Sequence, residues 1–254
     1  MPPISVETLP EIVLTFFLVF GRIGTALMAM PGFGDHFVNL RIRLTFALTF
    51  TVVLYPVVVE HLGPVPSHIF AFFVLLFHEI VIGLFLGTLA KIIHLSLSTA
   101  GIIISFNSAL SNSLMFNPVQ GQQSGLIGAF LTIMGLTFIF VANIHHIALS
   151  ALVESYVFFD FFNIQTIGDM TNLIVDVFRK SFELSFKMAS PFVFMSLIIY
   201  TGMGVMARLM PQMQVFFVII PLQILLAFLI LAVSLPMIMN LFMQMFHDYY
   251  LGLF

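Results

Sequence analysis

Cysteine is absent from the 254 residues, and so is tryptophan. The first absence excludes disulfides, a thiolate metal site and a cysteine nucleophile. The second removes the usual Trp belt at a membrane interface, and Tyr is sparse at five. Charge is also scarce: Asp, Glu, Lys and Arg make up 7% of the chain, against roughly 25% in a typical soluble domain. With eight Lys and Arg, a net charge of -3 and no basic run, nothing supports a nucleic-acid partner. The remainder is apolar, 61% hydrophobic with a mean hydropathy of +1.16. No water-soluble domain of this length hides that much apolar side chain, so its solvent is lipid, other chains or both. Phe at 32 and Met at 16 suit packing against irregular protein surfaces as well as lipid.

Strand periodicity is absent, and the pattern reads as all-α: an integral membrane protein of about six hydrophobic blocks. Block one runs from about Leu9 to Met30, entered through Thr8-Leu9-Pro10-Glu11, which has the form of a capping box. Glu7 and Glu11 before the apolar run, with no basic stretch, argue against a cleaved signal peptide. The later blocks cover about 42–59, 67–104, 126–152, 172–206 and 212–250. Blocks three, five and six exceed the ~20 residues that one crossing needs, which implies kinked, broken or protein-buried helices. Pro191, Pro221 and Pro236 fall inside the last two. An acidic, aromatic loop is expected at 154–169. Arg41, Arg43 and Arg208 group on one side of a six-span arrangement, with the N-terminus outside, although Arg179, Lys180 and Lys187 dissent.

Catalytic signatures are missing. There is no His-Glu-x-x-His, no Gly-x-Ser-x-Gly and no P-loop, and His145-His146 point to different helix faces. The chain therefore reads as non-enzymatic and free of cofactors and metals. Glu79, Gly83, Gly87 and Lys91 recur every four residues and read as one helix face. Gly83-x-x-x-Gly87 permits close backbone approach. Charges at its ends require protein or water rather than lipid, as a helix seam with paired charges or as an ion relay at Glu79. Asp176, Lys180, Glu183 and Lys187 form a stripe of alternating sign, either a salt-bridged exposed face or a seam against a partner. Residues 106–125 carry no charge and mix Asn, Ser and Gln with Phe106, Leu110, Leu114, Met115 and Phe116, ending near Asn117-Pro118. Such a loop sits at membrane depth only when buried in protein or lining a cavity, so it reads as a plug or as a polar connector.

Several stretches together resemble one family. They are Pro31 with Arg41-Ile42-Arg43, Glu79-x-x-x-Gly83-x-x-x-Gly87, Ala100-Gly101 leading to Asn117-Pro118, Ala189-Ser190-Pro191, and Gly202-x-Gly204-x-x-Ala207-Arg208-x-x-Pro211 through Phe216. The pattern is similar to that of FliR, the flagellar type III export-gate family, and its injectisome counterparts. It covers essentially the whole chain as one domain. The resemblance implies a single-copy subunit that assembles with several copies of FliP and FliQ into a helical pore and contacts FlhB and FlhA. It further implies passage of unfolded flagellar substrates, a place in the bacterial inner membrane at the basal body, and a pore plug at about 106–122. Phe106, Leu110, Leu114, Met115, Phe116, Asn117 and Pro118 are then plug residues. Glu79, Gly83, Gly87, Lys91, Asp176, Lys180, Glu183, Lys187 and Arg208 are assembly residues. Many relatives carry an acidic residue where this chain has Ser105-Phe106-Asn107, so no charge-based role is implied there. The alternative reading is an ion-coupled secondary transporter built around Glu79, against which stands the lack of an internal repeat.

Overall fold

A computed structural model describes residues 9–35, 37–63, 66, 68–111, 125–159, 167–210 and 215–251. All regular structure among the described residues is helical. The helices are α1 (Leu9–Ala29), α2 (Leu40–Val58, with a 3-10 turn at Val59–His61), α3 (Ile69–Asn107), α4 (Gly125–Val141), α5 (Ile144–Phe158), α6 (Ile167–Leu209) and α7 (Val215–Leu251). Five of these are long and apolar enough to cross a membrane, and α4 with α5 makes a sixth if counted as one broken span. The integral-membrane, all-helical expectation holds.

The overlong blocks are single helices. At 39, 43 and 37 residues, α3, α6 and α7 extend about 58, 65 and 56 Å at 1.5 Å per residue. Each is far longer than a ~30 Å hydrocarbon core. Pro191 lies inside α6 and cannot bond the Lys187 carbonyl, and the Ser190 hydroxyl donates to that carbonyl instead at 2.8 Å. Thr45, Thr49, Thr137 and Thr201 are exposed on apolar helices, and each donates to the carbonyl four residues back. Their hydroxyls are thereby satisfied without water.

Two boundaries differ from the sequence reading. Block four is not one helix but breaks at Asn143, whose φ of 59° is left-handed. Asn tolerates that region better than most residues, so no Gly or Pro marks the break. The acidic loop at 154–169 is also shorter than expected, because α5 runs on to Phe158 and α6 begins at Ile167. The end of α5 is held by an arginine described below. The expected capping residue Thr8 lies outside the described residues.

The chain groups into two compact units, to which α3, α6 and α7 each contribute in part. Unit 1 comprises residues 1–92, 143–177 and 247–254; unit 2 comprises 93–142 and 178–246. In unit 1, Leu18 and Phe72 are buried with Leu14, Leu62, Leu75 and Leu76 packed around them. In unit 2, Leu97, Ile104, Leu131, Phe192 and Phe242 are fully buried. There α3 and α4 meet backbone to backbone: a Cβ on Gly101 would overlap the backbone of Gly128. Gly101→Ala is therefore expected to destabilise by about 1–3 kcal/mol through overpacking. Gly204→Ala, where no atom lies within 4 Å of the added carbon, should be neutral to slightly stabilising, since Ala suits a helix interior better than Gly. Thermal unfolding of the two detergent-solubilised variants checks the contrast.

Candidate functional site

Among the described residues, the most buried charged groups lie in unit 1. Arg22, in the middle of α1, and Glu79 on α3 both have fully buried side chains. Arg22 Nε donates to Glu79 Oε2 at 2.6 Å and Nη2 donates to Oε1 at 2.7 Å, a two-pronged ion pair. The other guanidinium hydrogens also have acceptors. Nη1 donates to the Ser155 carbonyl at 2.9 Å and more weakly to its hydroxyl at 3.4 Å, and Nη2 donates to the Phe159 carbonyl at 3.0 Å. These carbonyls end α5, so a cation caps the negative end of that helix. Tyr156 offers its ring face 4.0 Å from the guanidinium carbon and donates its hydroxyl to the Val19 carbonyl at 3.3 Å.

The glycines below Glu79 make the pair reachable. A Cβ on Gly83 would overlap the Arg22 carbonyl oxygen and Thr25 Oγ1. One on Gly87 would come within 2.5 Å of the Ala29 Cβ and 2.6 Å of the Ala26 carbonyl. The Glu79-Gly83-Gly87 face is thus packed on α1 of the same chain, with its carboxylate paired. Lys91 does not share this face and is exposed. Each four-residue step turns an α-helix by about 40°, so Lys91 lies about 120° away from Glu79.

A second polar cluster sits in unit 2 where α3 ends. Asn107 Nδ2 donates to the Ile103 carbonyl at 2.8 Å, and its Oδ1 accepts from the Ser196 hydroxyl at 2.6 Å. The Asn107 carbonyl accepts from Gln223 Nε2 at 2.7 Å. Beyond it the chain turns through Ala109, whose φ of 60° is left-handed. At the far side of the loop, Gly125 has φ 62°, and a Cβ there would lie 3.1 Å from Ser105 Oγ.

The remaining expected residues divide between described and undescribed. Phe106 is exposed and Leu110 is half-buried. Leu114, Met115, Phe116, Asn117 and Pro118 lie outside the described residues. Lys187 and Glu183 form an exposed i, i+4 ion pair at 2.7 Å, as their spacing implies. Asp176 and Lys180 also take part in polar or electrostatic interactions. Arg208, in the last turn of α6, is exposed.

The chain matches the model of "Bacterial export proteins, family 1" over residues 13–249. It is 38% identical to the flagellar biosynthetic protein FliR of Caulobacter vibrioides over 86% of this chain and 87% of that one. To FliR of Bacillus subtilis it is 31% identical, covering 88% and 86%. It also matches the Yop proteins translocation protein T of Yersinia pestis, 24% identical over 87% of this chain and 85% of that one. The chain belongs to the FliR family of bacterial export proteins. Both polar clusters fall inside the region that matches the family model.

Arg22, Ser155, Tyr156, Ser196 and Gln223 escaped the sequence reading. Arg22 carried a usable signal, a lone charge in the middle of an apolar segment. The others did not, being ordinary polar or aromatic residues on helices whose pairing the sequence leaves open. Arg22→Met or Glu79→Met alone should each cost about 3–5 kcal/mol, because each strands a buried charge. Arg22→Met with Glu79→Met should lose much less than the two single losses combined. A thermal-unfolding double-mutant cycle measures the difference.

Proposed function

We propose that this chain is a membrane subunit of the flagellar type III protein export gate. On this reading it joins several copies each of FliP and FliQ in a helical pore of the bacterial inner membrane, at the flagellar basal body. FlhB and FlhA are its further neighbours, and unfolded flagellar proteins pass through the pore. The observation that carries the reading is the family match across residues 13–249, together with near-full-length relatives named for flagellar biosynthesis and Yop protein translocation.

The surface supports it. Phe178, Phe182 and Phe186 are exposed on α6 close to the exposed Glu183–Lys187 pair. A surface mixing Phe with paired charges suits protein neighbours better than hydrocarbon. Phe106, 65% exposed at the end of α3, and half-buried Leu110 form the described apolar part of the proposed stopper. Leu114, Met115 and Phe116 supply the remainder in the proposal, and Asn117-Pro118 fixes the exit of the loop. The transporter alternative draws little from Glu79, whose carboxylate is engaged on both oxygens by Arg22.

Shortening Ser108–Met115 in cells that express the whole apparatus tests the reading. The export gate predicts an assembled complex that leaks ions at rest. A tight membrane, with the complex present and export unchanged, contradicts it.

A further inference from the structure

Two observations single out the end of α3 in unit 2. The first is convergence. The last four carbonyls of a helix have no partner of their own, and here the final one, that of Asn107, is supplied from another helix. Gln223 of α7 donates to it at 2.7 Å, while Ser196 of α6 donates to the Asn107 side chain at 2.6 Å. The Ser196 hydroxyl has a second acceptor in the Val193 carbonyl at 2.9 Å, so the bond to Asn107 is the shorter of the two. Gln223 and Ser196 are 2% and 3% exposed. Neither donor has water to fall back on, and an unpaired buried amide is expensive.

The second observation is strain next to the cluster. Ala109 holds a left-handed φ of 60°, which a non-glycine residue keeps only when its surroundings impose it. The turn around it is tied by Ser108 N to the Ile104 carbonyl at 2.9 Å and by Ser111 N to the Ser105 carbonyl at 3.2 Å. Phe106 and Leu110, the described apolar residues of the stopper, flank Asn107 and this turn.

We propose that Asn107, Ser196 and Gln223 are positioning residues that lock the last turn of α3, and with it Phe106 and Leu110, in the resting state of the gate. The inference rests on the export-gate reading. The lock is built from neutral groups alone, so it opens and recloses without moving a charge through an apolar interior. Its strength comes from the two buried donors: on release Gln223 loses its acceptor, and Ser196 keeps only the Val193 carbonyl of its own helix.

Resting ion leak through the assembled gate, compared at equal amounts of complex, tests the lock. Ser196→Ala and the near-isosteric Gln223→Met each remove one donor. Each is expected to raise the leak about tenfold, the effect of losing one buried hydrogen bond. Ser196→Thr keeps the hydroxyl and should leak no more than wild type. Wild-type tightness in Ser196→Ala and Gln223→Met overturns the lock, as does a Ser196→Thr gate that leaks as much as Ser196→Ala. If Gln223→Met fails to assemble, the pair at Ser196 decides alone. The gate shortened within Ser108–Met115 serves as the reference. If it too is tight, the export-gate reading falls and takes the lock with it; if it leaks while the Ser196 and Gln223 variants do not, only the lock falls.

Discussion

Arg22 puts a permanent positive charge in the middle of an apolar helix, and the arrangement of unit 1 follows from neutralising it. Arginine does not shed its proton in proteins, so the charge must be met where it stands. Glu79 meets it with both oxygens. The rest of the guanidinium takes the last carbonyls of α5 and lies against Tyr156. One side chain thereby sets the register of α1 on α3 and fixes where α5 stops. The contact requires the backbones of α1 and α3 to come close, which explains why glycine stands at 83 and 87. The ion pair makes a small net contribution to stability compared with well-packed apolar residues. Its stronger effect is exclusion, since any other register leaves two buried charges apart.

Unit 2 meets the same constraint with neutral groups. Ser185 on α6 donates to the Ser96 carbonyl of α3 at 2.9 Å as well as to its own helix. Ser190 serves the carbonyl that Pro191 leaves open, and Gln223 serves the carbonyl at the end of α3. Ser190 and Gln223 answer main-chain carbonyls that the helices leave open, and Ser185 satisfies its own hydroxyl on a neighbouring helix, as chains that fold out of water require. The two units thus use different chemistry: a charged contact in unit 1 and a set of individually weaker contacts in unit 2. The proposed stopper is rooted in the second.

Much of the fold was legible because apolar run length is a strong signal. The ends of α1, α2 and α3 fall within about three residues of the positions read from hydropathy, as boundary readings usually do. The break at Asn143 was not legible, since Asn enters the left-handed region without Gly or Pro to announce it. Glu79, Gly83 and Gly87 form the face that their spacing implies, whereas Lys91 falls off it because a four-residue repeat drifts by about 40° per step. Arg22 and Glu79 are 57 residues apart, and Asn107 lies 89 and 116 residues from Ser196 and Gln223. No local pattern encodes such pairings; they depend on the register of helices whose surfaces are almost uniformly apolar. The family resemblance was legible at full length, whereas the two clusters that organise the units were not.

The most direct measurement of the central claim is the mass of the detergent-solubilised chain, expressed alone and then with FliP and FliQ. The account predicts a large, stable complex that forms only on co-expression, because in the proposed assembly the exposed Phe-rich face of α6 packs against protein neighbours. A well-behaved small monomer or dimer that ignores both partners would contradict it.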